Sequence, residues 1–265
     1  MKYNRELKTI DTPEKAYLLG QMYGDGCNNV NKKYKFTMSS TNEDTYLYYK
    51  LQTLFPFLKL KTYNNHTNMI YLENYEKTLC LDLMSLGLIS NKTKYDSTGE
   101  FHFPKLQKCL IPHFIRGYFD ADGSAWFPKR HRSRNQLIIE FGCSTKNFLK
   151  SIQNILIDNG IIFTWSERYK KAGNGKLYYS YTLKSTNRNT SLKFVSYIYQ
   201  NASIFLQKKF DICHKEKDLR LSAYEEFGNC PHCSSSNIIR NSIRNNKQRL
   251  KCKNCFKHFT LPLPK

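Results

Sequence analysis

The sequence predicts an α+β fold built from two copies of one unit, followed by a small metal-binding module. Three observations carry this. A helix-like segment recurs 97 residues along the chain, the same succession of strands and helices follows each copy, and four cysteines near the C-terminus stand in two CxxC pairs. The expected boundaries are 1–105 for the first copy, 106–222 for the second and 223–265 for the module. A chain of 265 residues with 40% apolar content can bury two joined cores and carry an appendage.

The first recurring segment is TPEKAYLLGQMYGDG from Thr12 to Gly26, and the second is IPHFIRGYFDADG from Ile111 to Gly123. Each opens with a proline where a first helical position tolerates it, in one case after a capping Thr12. Each closes on a glycine suited to a left-handed C-terminal residue. Small residues recur four apart, Gly20 with Gly24 and Gly117 with Ala121, so one face of each helix lacks bulk and two backbones can approach. If the helices pack in parallel, Asp25 and Asp122 meet at one end.

Strands are expected at 33–40 and 136–145, helices at 43–54 and 146–158 with Gly160 as a stop, then strand pairs 57–63 with 68–73 and 161–169 with 177–184. A last helix closes each unit, at 75–86 and 189–200. Strands and helices in this order give antiparallel sheets rather than alternating parallel β/α units.

Two carboxylates at adjoining helix C-termini repel each other and the partial negative charge there, so the pair calls for a cation. Mg²⁺ fits: it takes carboxylate, carbonyl and water oxygens together with phosphate, and it both activates water and stabilises a leaving oxygen. Asp25 and Asp122 are the candidate catalytic ligands, with the backbone of Gly24 and Ala121 completing the metal site. Forty-two Lys and Arg against 21 Asp and Glu give a formal charge of +21, which favours a polyanionic partner.

Residues 18–26, LLGQMYGDG, and 115–123, IRGYFDADG, resemble the nine-residue motif of the LAGLIDADG homing endonucleases, the second more closely than the first. The resemblance covers about residues 10–215. It implies two pseudo-symmetric repeats whose twisted antiparallel sheets form a saddle over the DNA major groove, with Asp25 and Asp122 as metal ligands. It also implies hydrolysis of both strands of a specific double-stranded DNA site with staggered ends. The family places a lysine near each active centre after the last helix of each repeat. Lys92 and Lys209 are the nominees here, with Lys94 and Lys208 as adjacent alternatives. Tyr23 stands where the second motif has Asp120; that position is not the metal ligand, so little catalytic consequence is expected.

Cys230, Cys233, Cys252 and Cys255 have the spacing of a tetrahedral Zn²⁺ site, and so short a segment needs the metal to fold. From Asn229 onward there are eight Lys or Arg and no acid. The stretch 239–259 resembles the N-terminal zinc ribbon of insertion-sequence transposase proteins, which implies auxiliary DNA binding. Arg240, Arg244, Lys247 and Arg249 are its candidate contacts, and Arg130, Arg132 and Arg134 of the basic insertion at 129–134 are candidates in the second repeat.

The expected protein is thus a monomeric, Mg²⁺-dependent DNA endonuclease of a mobile element with a structural Zn²⁺. Its place is a bacterial or phage-infected cytoplasm or an organelle matrix, neither secreted nor membrane-bound, since no apolar run approaches a membrane span and five cysteines lack framework spacing. The alternatives are an RNA maturase that assists intron splicing, with intron RNA as partner, and a DNA-binding regulator on an inactive nuclease scaffold. An intein is not expected, because no Cys or Ser begins the chain and no His-Asn pair ends it.

Overall fold

The computed structural model describes residues 2–30, 33–63, 68–90, 101–128, 136–171, 175, 177–215 and 223–263. The chain forms two compact units, Met1–His214 and Lys215–Lys265.

In the first unit two helices, α1 (Pro13–Asp25) and α4 (Ile111–Asp122), head two similar runs of elements. After α1 come β1 (Gly26–Asn29), β2 (Lys35–Thr41), α2 (Thr45–Leu54), β3 (Lys59–Thr62), β4 (Met69–Asn74) and α3 (Lys77–Ser85). After α4 come β5 (Gly123–Trp126), β6 (Ile138–Cys143), α5 (Lys146–Asp158), β7 (Thr164–Lys171), β8 (Leu177–Ser185), α6 (Arg188–Tyr199) and α7 (Gln207–His214). Each run folds its strands into one four-stranded antiparallel sheet, in the orders β1-β2-β4-β3 and β5-β6-β8-β7. The matching registers, Gly26 with Met38 and Gly123 with Phe141, show that the repeat extends to individual residues.

Alternation explains which face each sheet buries. In β2, Phe36 and Met38 point into the core while Lys35, Thr37 and Ser39 stay on the open face. In β6, Ile139 and Phe141 are buried while Ile138 and Glu140 face out. The helices cover the apolar faces, and one continuous core runs through both repeats. At Gly160, φ is +69°, and Ile161 donates back to the Leu156 carbonyl at 2.8 Å, so this glycine does end α5 in the left-handed region.

Gly26 and Gly123 depart from expectation. Both are extended, with φ of −77° and −82°, because a strand leaves directly from each helix. What excludes a side chain there is proximity. A Cβ on Gly26 would lie 2.3 Å from the Met22 carbonyl oxygen, and one on Gly123 would lie 2.2 Å from the Phe119 ring. The strands β1 and β5 and the helix α7 were also not expected: β1 and β5 have only four residues each, too few to show a period.

The second unit contains α8 (Ala223–Phe227) and one antiparallel sheet of β9 (Ile238–Arg244), β10 (Lys247–Cys252) and β11 (His258–Pro262), in the order β11-β10-β9. Its core is small: Ala223, Cys230, Ile238, Leu250 and Cys252. No helix among the described residues is long and apolar enough to cross a membrane.

Candidate functional site

The helix pair α1 and α4 is joined backbone to backbone. A Cβ added at Gly20 would lie 2.1 Å from the Phe114 carbonyl oxygen, and one at Gly117 would lie 2.1 Å from the Tyr17 carbonyl oxygen. Gln21 donates to the Gly117 carbonyl at 3.1 Å across the same seam. Contacts progress in one direction along both helices, from Gly20 with Phe114 and Gly117 to Gly24 with Ala121 and Asp122, so the helices are parallel.

That direction brings Asp25 and Asp122, the last residue of each helix, to the same end, where both are exposed. A Cβ on Gly24 would sit 2.3 Å from Ala121 Cβ and 3.4 Å from the Asp122 carboxylate, which therefore lies against the residue preceding Asp25. Burial, then the neighbouring Cys143, then Asp122 and last Asp25 hold the Tyr118 phenol well above its ordinary range. One phenol feels both carboxylates. Two hard oxygen donors, at helix ends that add partial negative charge, suit a divalent cation.

Lys209 on α7 reaches this end of α4. Its ammonium donates to the Phe119 carbonyl at 2.7 Å and the Asp120 carbonyl at 2.6 Å. Burial lowers its pKa, while Asp120, Asp25 and Asp122 act in the opposite direction. The neighbouring Lys208 turns elsewhere and pairs with the buried Asp44 at 2.8 Å. The two adjacent lysines are thus separated by geometry. Lys92 and Lys94 lie outside the described residues, as do Arg130, Arg132 and Arg134.

Around Asp120 the structure shows what the sequence had left without a role. The side chain is buried and accepts from Tyr17 Oη at 2.8 Å, Tyr199 Oη at 3.3 Å and the Leu206 backbone N–H at 2.7 Å. Burial pushes its carboxyl up to about 6, with the Leu206 N–H and the Lys209 charge pulling against that rise. At the matching position Tyr23 donates to the Leu86 carbonyl at 2.7 Å.

The open sheet faces carry further charged groups. On β4, Glu73 is buried beneath Lys35 at 2.7 Å, Lys61 at 3.3 Å and Tyr75 Oη at 2.7 Å. Burial pushes its carboxyl up, but hydrogen bonds from Lys35, Tyr75 and Lys61 prevail and bring it to about 2. On the other sheet Glu140 pairs with Lys184 at 2.9 Å, and Lys184 lies over the Trp126 ring. For Lys35 the signal was present in the polar positions of the alternating stretch 35–41, which places every second side chain on the open face.

In the second unit the four sulfurs of Cys230, Cys233, Cys252 and Cys255 lie within 4.8 Å of one another. Backbone N–H groups of Cys255 and Asn254 lower the Cys252 thiol, while burial and hydrogen bonds with the other three sulfurs raise Cys233. Tetrahedral Zn²⁺ suits this donor set. Neither histidine joins it: the His232 ring faces Phe259, and His258 Nδ1 faces Asn241. Arg244, Lys247 and Arg249 are exposed, whereas Arg240 is half-buried, forms an ion pair with Glu226 and stacks over Phe227.

Residues 111–199 match the model of the LAGLIDADG-like domain. A crystal structure of the LAGLIDADG meganuclease I-AabMI bound to uncleaved DNA aligns with 78% of this chain and 90% of its own, at 13% identity and a TM-score of 0.50. Mesophilic variants of the homing endonuclease I-DmoI align with 78% of this chain and 97% of theirs, at 16% identity and a TM-score of 0.48. A curated relative, the isomerizing glutamine–fructose-6-phosphate aminotransferase of Methanocaldococcus jannaschii, is 30% identical over 129 residues. That match takes in 49% of this chain and only 11% of the relative. The chain therefore carries a LAGLIDADG-like domain and has the two-repeat fold of LAGLIDADG nucleases, together with a four-cysteine ribbon.

Proposed function

We propose that this LAGLIDADG-type chain is a site-specific endonuclease that hydrolyses both strands of double-stranded DNA, with residues 1–105 and 106–222 as its two catalytic halves. The observation that carries the reading is the placement of Asp25 and Asp122 at the shared end of a backbone-tight, parallel helix pair. Asp25, Asp122 and the carbonyls of Gly24 and Ala121 would hold Mg²⁺. When bound, the cation lowers the pKa of water and stabilises the leaving oxygen of the phosphodiester. The water oxygen joins phosphorus as the bridging P–O bond breaks, and the departing oxygen takes a proton.

The protein's own groups supply the positions. An ammonium has three N–H donors, and two of those on Lys209 are spent on α4 carbonyls. The third is available to a phosphate oxygen or to the attacking water, where it offsets developing negative charge. The open sheet faces present Lys35, Lys61, Arg168 and Lys184 to the duplex. The ribbon, held by Zn²⁺, adds backbone contacts through Arg244, Lys247 and Arg249. Arg240 serves the ribbon's own packing instead, through Glu226 and Phe227.

A plasmid library of candidate genomic sites, incubated with the protein and Mg²⁺ beside the Asp122→Asn variant, tests the reading. Double-strand cleavage by the parent alone is expected. Binding without cleavage would favour the regulator, and restored splicing of an intron transcript would favour the maturase. Zinc analysis of the purified protein, expected at one ion per chain and lost in Cys252→Ser, tests the ribbon.

A further inference from the structure

The reaction just described makes no use of Asp120, yet this carboxylate is among the most heavily bonded groups in the protein. Its third partner is the informative one. Leu206 immediately precedes α7, and its carbonyl accepts the N–H groups of Lys209 at 3.1 Å and Phe210 at 3.0 Å, so it is the residue from which the helix starts. Asp120 grips that residue by its N–H at 2.7 Å.

The segment leading into α7 is fixed at several more points. Arg116, fully buried on α4, donates to the Ile198 carbonyl at 2.7 Å and the Ile204 carbonyl at 2.9 Å. Lys50 donates to the Ser203 carbonyl at 2.7 Å, and Ser203 Oγ donates to Glu14 at 2.6 Å. With the start of α7 set, Lys209 one turn later falls on the last carbonyls of α4, beside Asp122. At the matching position among the described residues of the first repeat stands Tyr23. Its hydroxyl holds the Leu86 carbonyl, a neutral bond to the corresponding post-helical segment.

We infer that Asp120 is a positioning residue for Lys209: by holding Leu206 at the start of α7 it sets the ammonium against the end of α4, in the second repeat's active centre. The inference rests on the nuclease reading for its catalytic meaning, but the grip itself is a property of the folded chain. Asparagine preserves size and one acceptor oxygen, so Asp120→Asn loosens the grip without opening a cavity.

In single-turnover cleavage by the full-length protein, Asp120→Asn is expected to lower the maximal cleavage rate constant about 10- to 100-fold, as for a group displaced by about an ångström, while the half-saturating protein concentration and DNA affinity stay near parental values. Strand-resolved gels should show one strand slowed and nicked DNA accumulating. Because the effect runs through Lys209, the Asp120→Asn/Lys209→Met double variant should cleave no more slowly than Lys209→Met alone. Losses that multiply in the double variant, or equal slowing of both strands, overturn the inference. Tyr199→Phe, which removes one of the three bonds to Asp120, should act in the same direction more weakly.

A second measurement needs no activity. Reductive methylation read by mass spectrometry should modify Lys209 severalfold faster in Asp120→Asn than in the parent. Unchanged reactivity of Lys209 in a folded variant sinks the inference whether or not the parent cuts DNA. Absence of cleavage by the parent, with the reactivity change present, would instead count against the nuclease reading alone.

Discussion

The two repeats follow one backbone plan and solve its local problems with different chemistry. At the position before the small residue of each motif helix, the first uses a neutral hydrogen bond, Tyr23 to the Leu86 carbonyl, and the second a buried carboxylate, Asp120, which holds the Leu206 N–H. The open faces differ in the reverse sense. The first sheet buries one carboxylate, Glu73, under two lysines and two tyrosines, and the second leaves Glu140 half-exposed with a single lysine. The two repeats therefore share what depends on backbone distance and differ in which polar group satisfies which partner.

The backbone seam is the shared part, and it should be the most sensitive. Gly20→Ala and Gly117→Ala each set a methyl about 2.1 Å from a backbone oxygen of the other helix, which neither helix can yield without separating. We expect each to cost more than ~3 kcal/mol in urea unfolding, and to cost similar amounts because the contact is reciprocal. A tolerated alanine at either position would break the comparison at its root. Next in size is Arg116→Met. It leaves two buried carbonyls without a donor and removes a cation from beside Asp120, at a cost of roughly 2–4 kcal/mol by the same measurement.

What the sequence revealed divides along the same line. The helix pair, three of the four strands of each sheet and the four-cysteine ribbon were legible because each is written as a spacing: small residues four apart, alternation every second residue, CxxC twice. The glycines closing α1 and α4 were correctly located but given the wrong reason, since the space beside Met22 and Phe119 is invisible until the chain folds. Asp120 was overlooked for a related reason. Its partners Tyr17, Tyr199 and Leu206 lie 103, 79 and 86 residues away, and no local pattern announces them. The same holds for Lys208 and Lys209, adjacent in sequence yet directed to Asp44 and to the end of α4.

A smaller effect separates the two positions before the small residue. Tyr23→Phe keeps the ring that packs against Phe101, Phe114 and Phe148 and loses the bond to the Leu86 carbonyl. A loss of about 1 kcal/mol in chemical denaturation is expected, with cleavage of both strands unaltered. If Tyr23→Phe slowed cleavage of one strand as Asp120→Asn is expected to, the repeats would be using the position alike.

The smallest expected effect concerns Glu73, and its sign follows from linkage. The folded carboxyl lies at about 2, below the ordinary carboxylate value of 4.5, so the stability it contributes is fully present above about 4.5 and disappears as pH falls toward 2. Glu73→Gln should therefore lower Tm relative to the parent at pH 7, and the gap should narrow steadily between pH 4.5 and 2. Because Lys35 and Lys61 are 35% and 40% exposed, salt should shrink the gap as well. Glu140→Gln removes a half-exposed pair with one lysine and should leave Tm nearly unchanged at every pH. Equal pH-dependence in the two variants would mean that burying Glu73 beneath its lysines makes no energetic difference, and the contrast between the two sheets would then be one of geometry alone.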